Sequence, residues 1–576
     1  MDVRLDAKAN TSGAHIFAAA LSRHGVRDIF GQSIPSALFL CAPQFDMRQI
    51  GYRTENAGAA MADAYARISH KVPVVTAQNG PAATLLVAGL AEALKASIPI
   101  VAIVQDVDRR MTDRNAFQEL DHLELFKGCA KWIRRISEGD RIDDYVDMAF
   151  TAAASGRAGP AVLIVPIDLF DEAVGRSEPQ RQASLGRFPL DRVGPDAAAI
   201  AKAADLLAGA RNPLVIAGGG VHVSDACEAL AALQETASLP VATTTMGKGA
   251  VSERHPLTLG PVGYYMGTRG RCKFLRPMVE KADVVLLIGN RTNQNGTDSW
   301  KLYPPGARYI HIDIDPEEIG RNYEAEVRIV ADARLAIEAL TAELATRDLS
   351  ARHGARSQVE AQIAEGLRAH ADEMAQVVDM DQSPVRPERM MRDLGAVLEP
   401  SDIVVADASY SSIWVANFLE VQRPGQRILT PRGLAGLGWG LPYALGAKAA
   451  RPDARVVGLV GDGGFAHVWS ELETSRRMGL PVVLIVLNNQ ILGYQKHAEK
   501  VIWGDHSDVV DFSPVDHASI ARACGVEGVR VETPEAFLPA LKAALSADVT
   551  TVIDVVTDEH AYPPVTIFEG NERLNY

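Results

Sequence analysis

Three segments of the chain alternate short, unbroken apolar runs with longer stretches of helical periodicity. A strand buried on both faces reads as a continuous apolar run, and parallel strands need crossover connections, so the alternation specifies parallel α/β sheets. The first segment predicts strands at Asp28–Phe30, Val72–Ala77, Ile98–Val104 and Ala161–Val165. The second predicts Pro213–Ala217, Val284–Ile288 and Tyr309–Ile314, and the third Ile403–Ala406, Val456–Val460, Val482–Leu487 and Thr551–Val555. Residues 172–196, polar and rich in Pro and Gly, read as a linker, as do residues 346–386, which carry many charges at helical spacing. The expected organisation is α/β, with three doubly wound parallel-sheet domains at 1–180, 195–345 and 385–560. A tail at 561–576 follows as an irregular end or a lid. The first and third segments have similar lengths, which permits a duplicated fold without showing one.

Composition removes several classes of function. Hydrophobic residues make up 47% and charged residues 23% of 576, ordinary globular usage that excludes a disordered chain. The net charge of −14 argues against general binding to nucleic acid or an anionic membrane, which needs clustered cations. The five cysteines are scattered without a CxxC pair, so neither a zinc site nor a disulfide framework is indicated. The N-terminus lacks an apolar signal-type region and no 18-residue apolar run exists. These features lead to the expectation of a cytoplasmic protein.

The chemistry concentrates in the third segment. Val456–Val460 runs into Gly461-Asp462-Gly463-Gly464 and a predicted helix, Phe465–Met478; the next strand ends in Asn488-Asn489. A glycine turn at a strand's carboxyl end lets backbone amides approach a diphosphate. Asp462 supplies a hard oxygen for Mg²⁺, Asn489 a neutral one, and the Ile491 carbonyl another. GDG alone is common. Two such tips separated by one helix face the same sheet edge, where α/β proteins bind ligands.

Here the chain resembles thiamine-diphosphate-dependent enzymes of the acetolactate synthase and 2-hydroxyacyl-CoA lyase branch. The family's GDG…NN signature is matched by Gly461-Asp462-Gly463 and Asn488-Asn489, with 24 residues between. Arg53–Arg67 is similar to the family's glutamate helix, Gln78-Asn79-Gly80-Pro81 to its S-G-P-G turn, and Ala116-Phe117-Gln118-Glu119 to its AFQE loop. His311–Pro316 with Glu318-Ile319-Gly320 resembles the synthase-type middle domain, and Gly433–Pro442 the loop that grips the cofactor's pyrimidine. The resemblance implies pyrimidine-binding, middle Rossmann-like and diphosphate-binding domains, in that order.

It also implies roles. Glu55 would share a proton with the pyrimidine N1′, which suits a carboxyl raised by an apolar pocket. Asn79, Gly80, Gly436, Gly461, Gly463 and Gly464 would contact the cofactor, and Leu437 would wedge between its rings. Gln118 would donate to a substrate carbonyl or developing alkoxide. The substrate loop departs from acetolactate synthase: Tyr494 stands at the family's methionine and Ala498 at its pocket tryptophan. Nearby Glu499 is a candidate acid/base, with His560 beside the tail as its partner. In the middle segment Gly219, Gly220, Asn290, Arg291 and Asp313 are candidates to hold a CoA or ADP nucleotide, or FAD.

The expected activity is a Mg²⁺- and thiamine-diphosphate-dependent carbon–carbon lyase, cleaving a 2-hydroxyacyl-CoA to formyl-CoA and a ketone or aldehyde. The alternatives are an acetolactate-synthase-like carboligase or 2-ketoacid decarboxylase, and a catalytically inactive binding homologue. The expected substrate is thus a small acyl-CoA or 2-ketoacid. The resemblance implies a homodimer or homotetramer, because the family shares its cofactor between copies.

Overall fold

The computed structural model describes residues 11–175 and 178–566. It contains three six-stranded sheets in which every strand pair is parallel. The first runs in spatial order Arg48–Ile50, Asp28–Phe30, Val74–Ala77, Ile100–Asp106, Pro160–Pro166, Trp132–Arg135. The third runs Ile428–Leu429, Ile403–Ala406, Val456–Gly461, Val483–Asn488, Thr551–Val556, Glu527–Val531. Numbered by their order within each sheet, both read 2-1-3-4-6-5, so the first and third sheets share one topology. The middle sheet runs Thr258–Pro261, Val241–Thr243, Pro213–Ala217, Val284–Ile288, Arg308–Asp313, Ala325–Val330. That is order 3-2-1-4-5-6, the arrangement of dinucleotide-binding sheets.

The chain divides into two compact units. One is the chain up to Asp191 with Leu445–Pro452 and Arg477–Leu480, and holds the first sheet. The other holds the middle and third sheets. Their central strands are buried along their whole length, as the apolar runs require. Among the described residues, no helix is long and apolar enough to cross a membrane.

Three expectations need correction. Ala173–Val174, inside the predicted first linker, pairs antiparallel with Thr11–Ser12. The predicted second linker contains a 29-residue helix, Ser350–Val378, which buries Ile363 and Met374. Its charges sit at helical spacing because they line the exposed face of a surface helix. The predicted helix Phe465–Met478 is two pieces, Asp462–Phe465 and Glu471–Met478. His467 and Val468 between them, and Glu471, Leu472 and Glu473 at the start of the second piece, donate to carbonyls three residues back, so the chain tightens where a regular helix was expected.

Candidate active site

In doubly wound sheets, ligands bind outside the carboxyl ends of the strands, where the strand order reverses. In the third sheet that point lies between Ile403–Ala406 and Val456–Gly461. The tips there carry Asp407-Ala408-Ser409-Tyr410 and Gly461-Asp462-Gly463-Gly464. Asn488-Asn489 ends the adjacent strand. Asp462, Asn489, Ile491, Leu437 and glycines 461, 463 and 464 line one cavity of about 920 Å³, with Tyr264, Tyr410, Arg432 and Tyr494 on its wall.

Asp462 is buried, and its two oxygens accept the backbone N–H groups of Gly463 at 2.8 Å and Gln490 at 2.7 Å. Gln490 adopts a left-handed backbone, φ 61°, which turns its N–H toward the carboxylate. Burial pushes the Asp462 carboxyl up to about 7. Among the described residues no cationic side chain pairs with it. Asn489 Oδ1 accepts the Ile491 N–H at 3.3 Å. A β-carbon at Gly461 would meet nothing nearer than Ser411 Oγ at 4.0 Å, which leaves the turn open.

Sequence reasoning passed over Asp407. It is buried, and it accepts the N–H groups of Ala408, Gly438 and Trp439 at 2.8, 3.0 and 3.1 Å. It thereby ties the Gly433–Pro442 loop to the sheet edge. The next residues, Ala408 and Ser409, run into the helix Tyr410–Phe418 with Ser409 at φ 63°, a strained conformation at a strand tip. The available signal was positional: a polar stretch directly after an apolar run, at the edge that bears Asp462.

In the other unit, Glu55 opens the helix Glu55–Ser69, whose N-cap is Thr54. Its side chain is buried, and burial raises its carboxyl above the usual range. Asn79, Gly80 and Gln118 come together: Asn79 Nδ2 donates to the Phe117 and Gln118 carbonyls at 3.2 and 3.0 Å. A β-carbon on Gly80 would lie 2.8 Å from the Gln118 carbonyl, and Gly80 already has φ 67°. His122, unnoticed in the sequence, accepts the Gly80 N–H at 3.0 Å. The Gln118 Oε1 atom is sealed from water with no partner among the described residues.

Similarity to known proteins follows the same three-part division. Residues 11–125 match the thiamine pyrophosphate enzyme N-terminal TPP binding domain, 200–340 its central domain and 407–555 its C-terminal TPP binding domain. The probable acetolactate synthase large subunit of Methanococcus aeolicus is 33% identical over 95% of this chain and 92% of its own length. The chain belongs to the thiamine pyrophosphate enzyme family. The acetolactate synthase of Arthrospira platensis is 31% identical, covering 100% of this chain and 99% of its own. Acetolactate synthase 3, chloroplastic, of Brassica napus is 30% identical over 98% and 88%.

The thiamine pyrophosphate enzyme has a donor set that fits a magnesium diphosphate. One buried carboxylate without a side-chain cation, a neutral amide oxygen and a glycine turn are what Mg²⁺ takes when phosphates and water complete its shell. Gly436 and Gly464 have a further reason to be glycine. A β-carbon would lie 2.8 Å from Trp439 Nε1 at the first and 2.4 Å from Asp407 Oδ2 at the second.

Other candidates are placed apart from the cavity. Glu499 is not on its wall; its carboxylate accepts from Gln495 Nε2 at 2.8 Å and from the Ser507 N–H at 2.9 Å. Those bonds hold it below the usual carboxylate range, so it makes a poor proton donor. His560 is exposed, with its backbone N–H on Asp558. Ala498 is buried in the core, whereas Tyr494 does line the cavity. Of the tail, Ala561 and Thr566 reach the cavity rim, and Thr566 Oγ1 donates to Asp298 at 2.5 Å. Residues 567–576 of the expected lid lie outside the described residues.

The middle sheet brings Gly219, Gly220, Asn290 and Arg291 to its own reversal point and Asp313 to a neighbouring strand end. A β-carbon on Gly220 would lie 2.6 Å from Gly289 Cα, so close packing of two strand tips demands glycine there whether or not a ligand binds. Asn290 is buried with its Nδ2 unpartnered among the described residues. Burial raises Asp313 to about 6.

Proposed function

We propose that the enzyme is a carboligase of the acetolactate synthase type, which decarboxylates one 2-ketoacid and joins its acyl group to the carbonyl carbon of a second. With pyruvate, two molecules and one proton become 2-acetolactate and carbon dioxide. The reading is carried by end-to-end resemblance to enzymes that bear the name acetolactate synthase. These names favour carboligation over the 2-hydroxyacyl-CoA lyase reading that the AFQE loop also allows.

Bound thiamine diphosphate supplies a carbon nucleophile and an electron sink for loss of carboxylate. The chain's own residues prepare it. Asp462, Asn489 and the Ile491 carbonyl would hold Mg²⁺, and amides of residues 461–464 would face the diphosphate. Leu437, supported by the Asp407-anchored loop, would fix the angle between the rings. Glu55 from a second copy of the chain would hold a proton at the pyrimidine, a task suited to its raised carboxyl. Gln118 would donate to the oxygen that becomes negative when the new bond forms.

In the middle domain, Asn290 and Arg291 would hold a nucleotide portion of CoA or FAD. The test is turnover of pyruvate with thiamine diphosphate and Mg²⁺, following 2-acetolactate and carbon dioxide, beside a panel of 2-hydroxyacyl-CoA esters. Cleavage of the esters with no product from pyruvate would reject carboligation.

A further inference from the structure

Arg432 was singled out by no motif. It follows the short strand Ile428–Leu429, sits half-buried and lines the cavity that holds Asp462 and Asn489. Its guanidinium is fixed from behind: one terminal nitrogen donates to Ser412 Oγ and lies 3.4 Å from the Tyr265 hydroxyl. That hydroxyl is itself held by Tyr264 and Thr245, each at 3.1 Å.

Among the described residues no carboxylate pairs with this cation, and its Nε is sealed from water with no partner. The acidic groups on the cavity wall are engaged elsewhere. Asp298 bonds Arg276 at 2.9 Å and Thr566 at 2.5 Å, and Asp407 and Asp462 accept backbone amides. A guanidinium withdrawn from water without a counter-charge is costly, and an incoming carboxylate would offset that cost with paired, planar hydrogen bonds.

We propose that Arg432 docks the carboxylate of the acceptor 2-ketoacid, with the Tyr494 phenol on the same cavity wall; this rests on the carboligase reading. The donor's carboxylate is the wrong partner. It leaves as neutral carbon dioxide, and a cation bound to it would stabilise the ground state against the transition state. The acceptor's carboxylate keeps its charge into the product, so holding it orients the carbonyl without opposing the reaction.

The test uses full-length enzyme with thiamine diphosphate and Mg²⁺, pyruvate as donor, and pyruvate or neutral acetaldehyde competing as acceptor. Arg432→Met should lower the preference for the acidic acceptor by about tenfold or more, the worth of a charge-assisted pair. Arg432→Lys should restore part of it. An unchanged preference overturns the proposal. So does a loss of cofactor affinity by calorimetry with acceptor preference intact, which would assign the guanidinium to the diphosphate. If the wild type turns over no 2-ketoacid, the carboligase reading fails, and binding of oxamate, an unreactive pyruvate analogue, still decides Arg432. Weaker oxamate binding to Arg432→Met supports a carboxylate subsite, and equal binding overturns it.

Discussion

Asp407 receives the backbone N–H of Gly438 at 3.0 Å, and the same oxygen leaves only 2.4 Å to the place of a β-carbon on Gly464. One buried carboxylate thus joins the loop proposed to cradle the pyrimidine to the turn proposed to cradle the diphosphate. Asp407→Ala would leave three amides without their acceptor, a loss of about 1–3 kcal/mol for each group that water cannot reach. The expected result is a lower melting temperature and at least about tenfold weaker thiamine diphosphate binding by calorimetry. Unchanged affinity would remove Asp407 from the role of loop anchor.

Glu55→Gln keeps the shape of the side chain and removes the proton-sharing carboxyl. Cofactor affinity should stay within a few-fold while turnover falls by about 100-fold or more, the range of lost proton transfer. Steady-state rates beside titration of the cofactor's circular dichroism band separate the two effects. Normal turnover would end the assignment.

Asp462→Ala removes the carboxylate of the proposed metal site. Thiamine diphosphate binding should lose its dependence on Mg²⁺, which calorimetry with and without chelator reads directly. Mg²⁺-dependent affinity equal to the wild type's would mean that the cation is held elsewhere.

The legible parts of this fold were those with the simplest environments. Pro213–Ala217, Val284–Ile288 and Ile403–Ala406 are buried on both faces and match their apolar runs residue for residue. Arg48–Ile50, Trp132–Arg135, Ala325–Val330 and Glu527–Val531 were missed because they are edge strands, with exposed or partly exposed residues interrupting the pattern. In the site, Asp462 and Asn489 were legible because glycine and asparagine at strand ends have a local signature. Asp407 and Arg432 were not. Their importance comes from what the fold sets beside them: amides 31 and 32 residues along the chain for Asp407, and the phenol of Tyr265, 167 residues away, for Arg432. Glu499 shows the opposite case: it lies close in sequence to the substrate loop, yet the fold does not set it on the cavity wall.

His24 gives the first unit an acid-sensitive packing contact. Its ring is buried, with Nε2 on Asp147 Oδ1 at 2.9 Å, while Nδ1 accepts the Leu185 N–H at 2.9 Å. The imidazole must therefore stay neutral, because a proton on Nδ1 would face another N–H. Burial, aided by Arg23, lowers it to about 4 against 6.5 when free. As pH falls, the unfolded chain takes up the proton first. The stabilisation is complete above about pH 6.5 and is lost progressively toward pH 4, about 2 kcal/mol of it between pH 7 and 5. His24→Gln retains an amide that can donate to Asp147 and does not titrate. Denaturant unfolding at pH 7 and pH 5 should show a stability difference smaller by about 2 kcal/mol in the variant than in the wild type. Equal differences would mean that the His24 ring accepts its proton in the folded chain as readily as in the unfolded one.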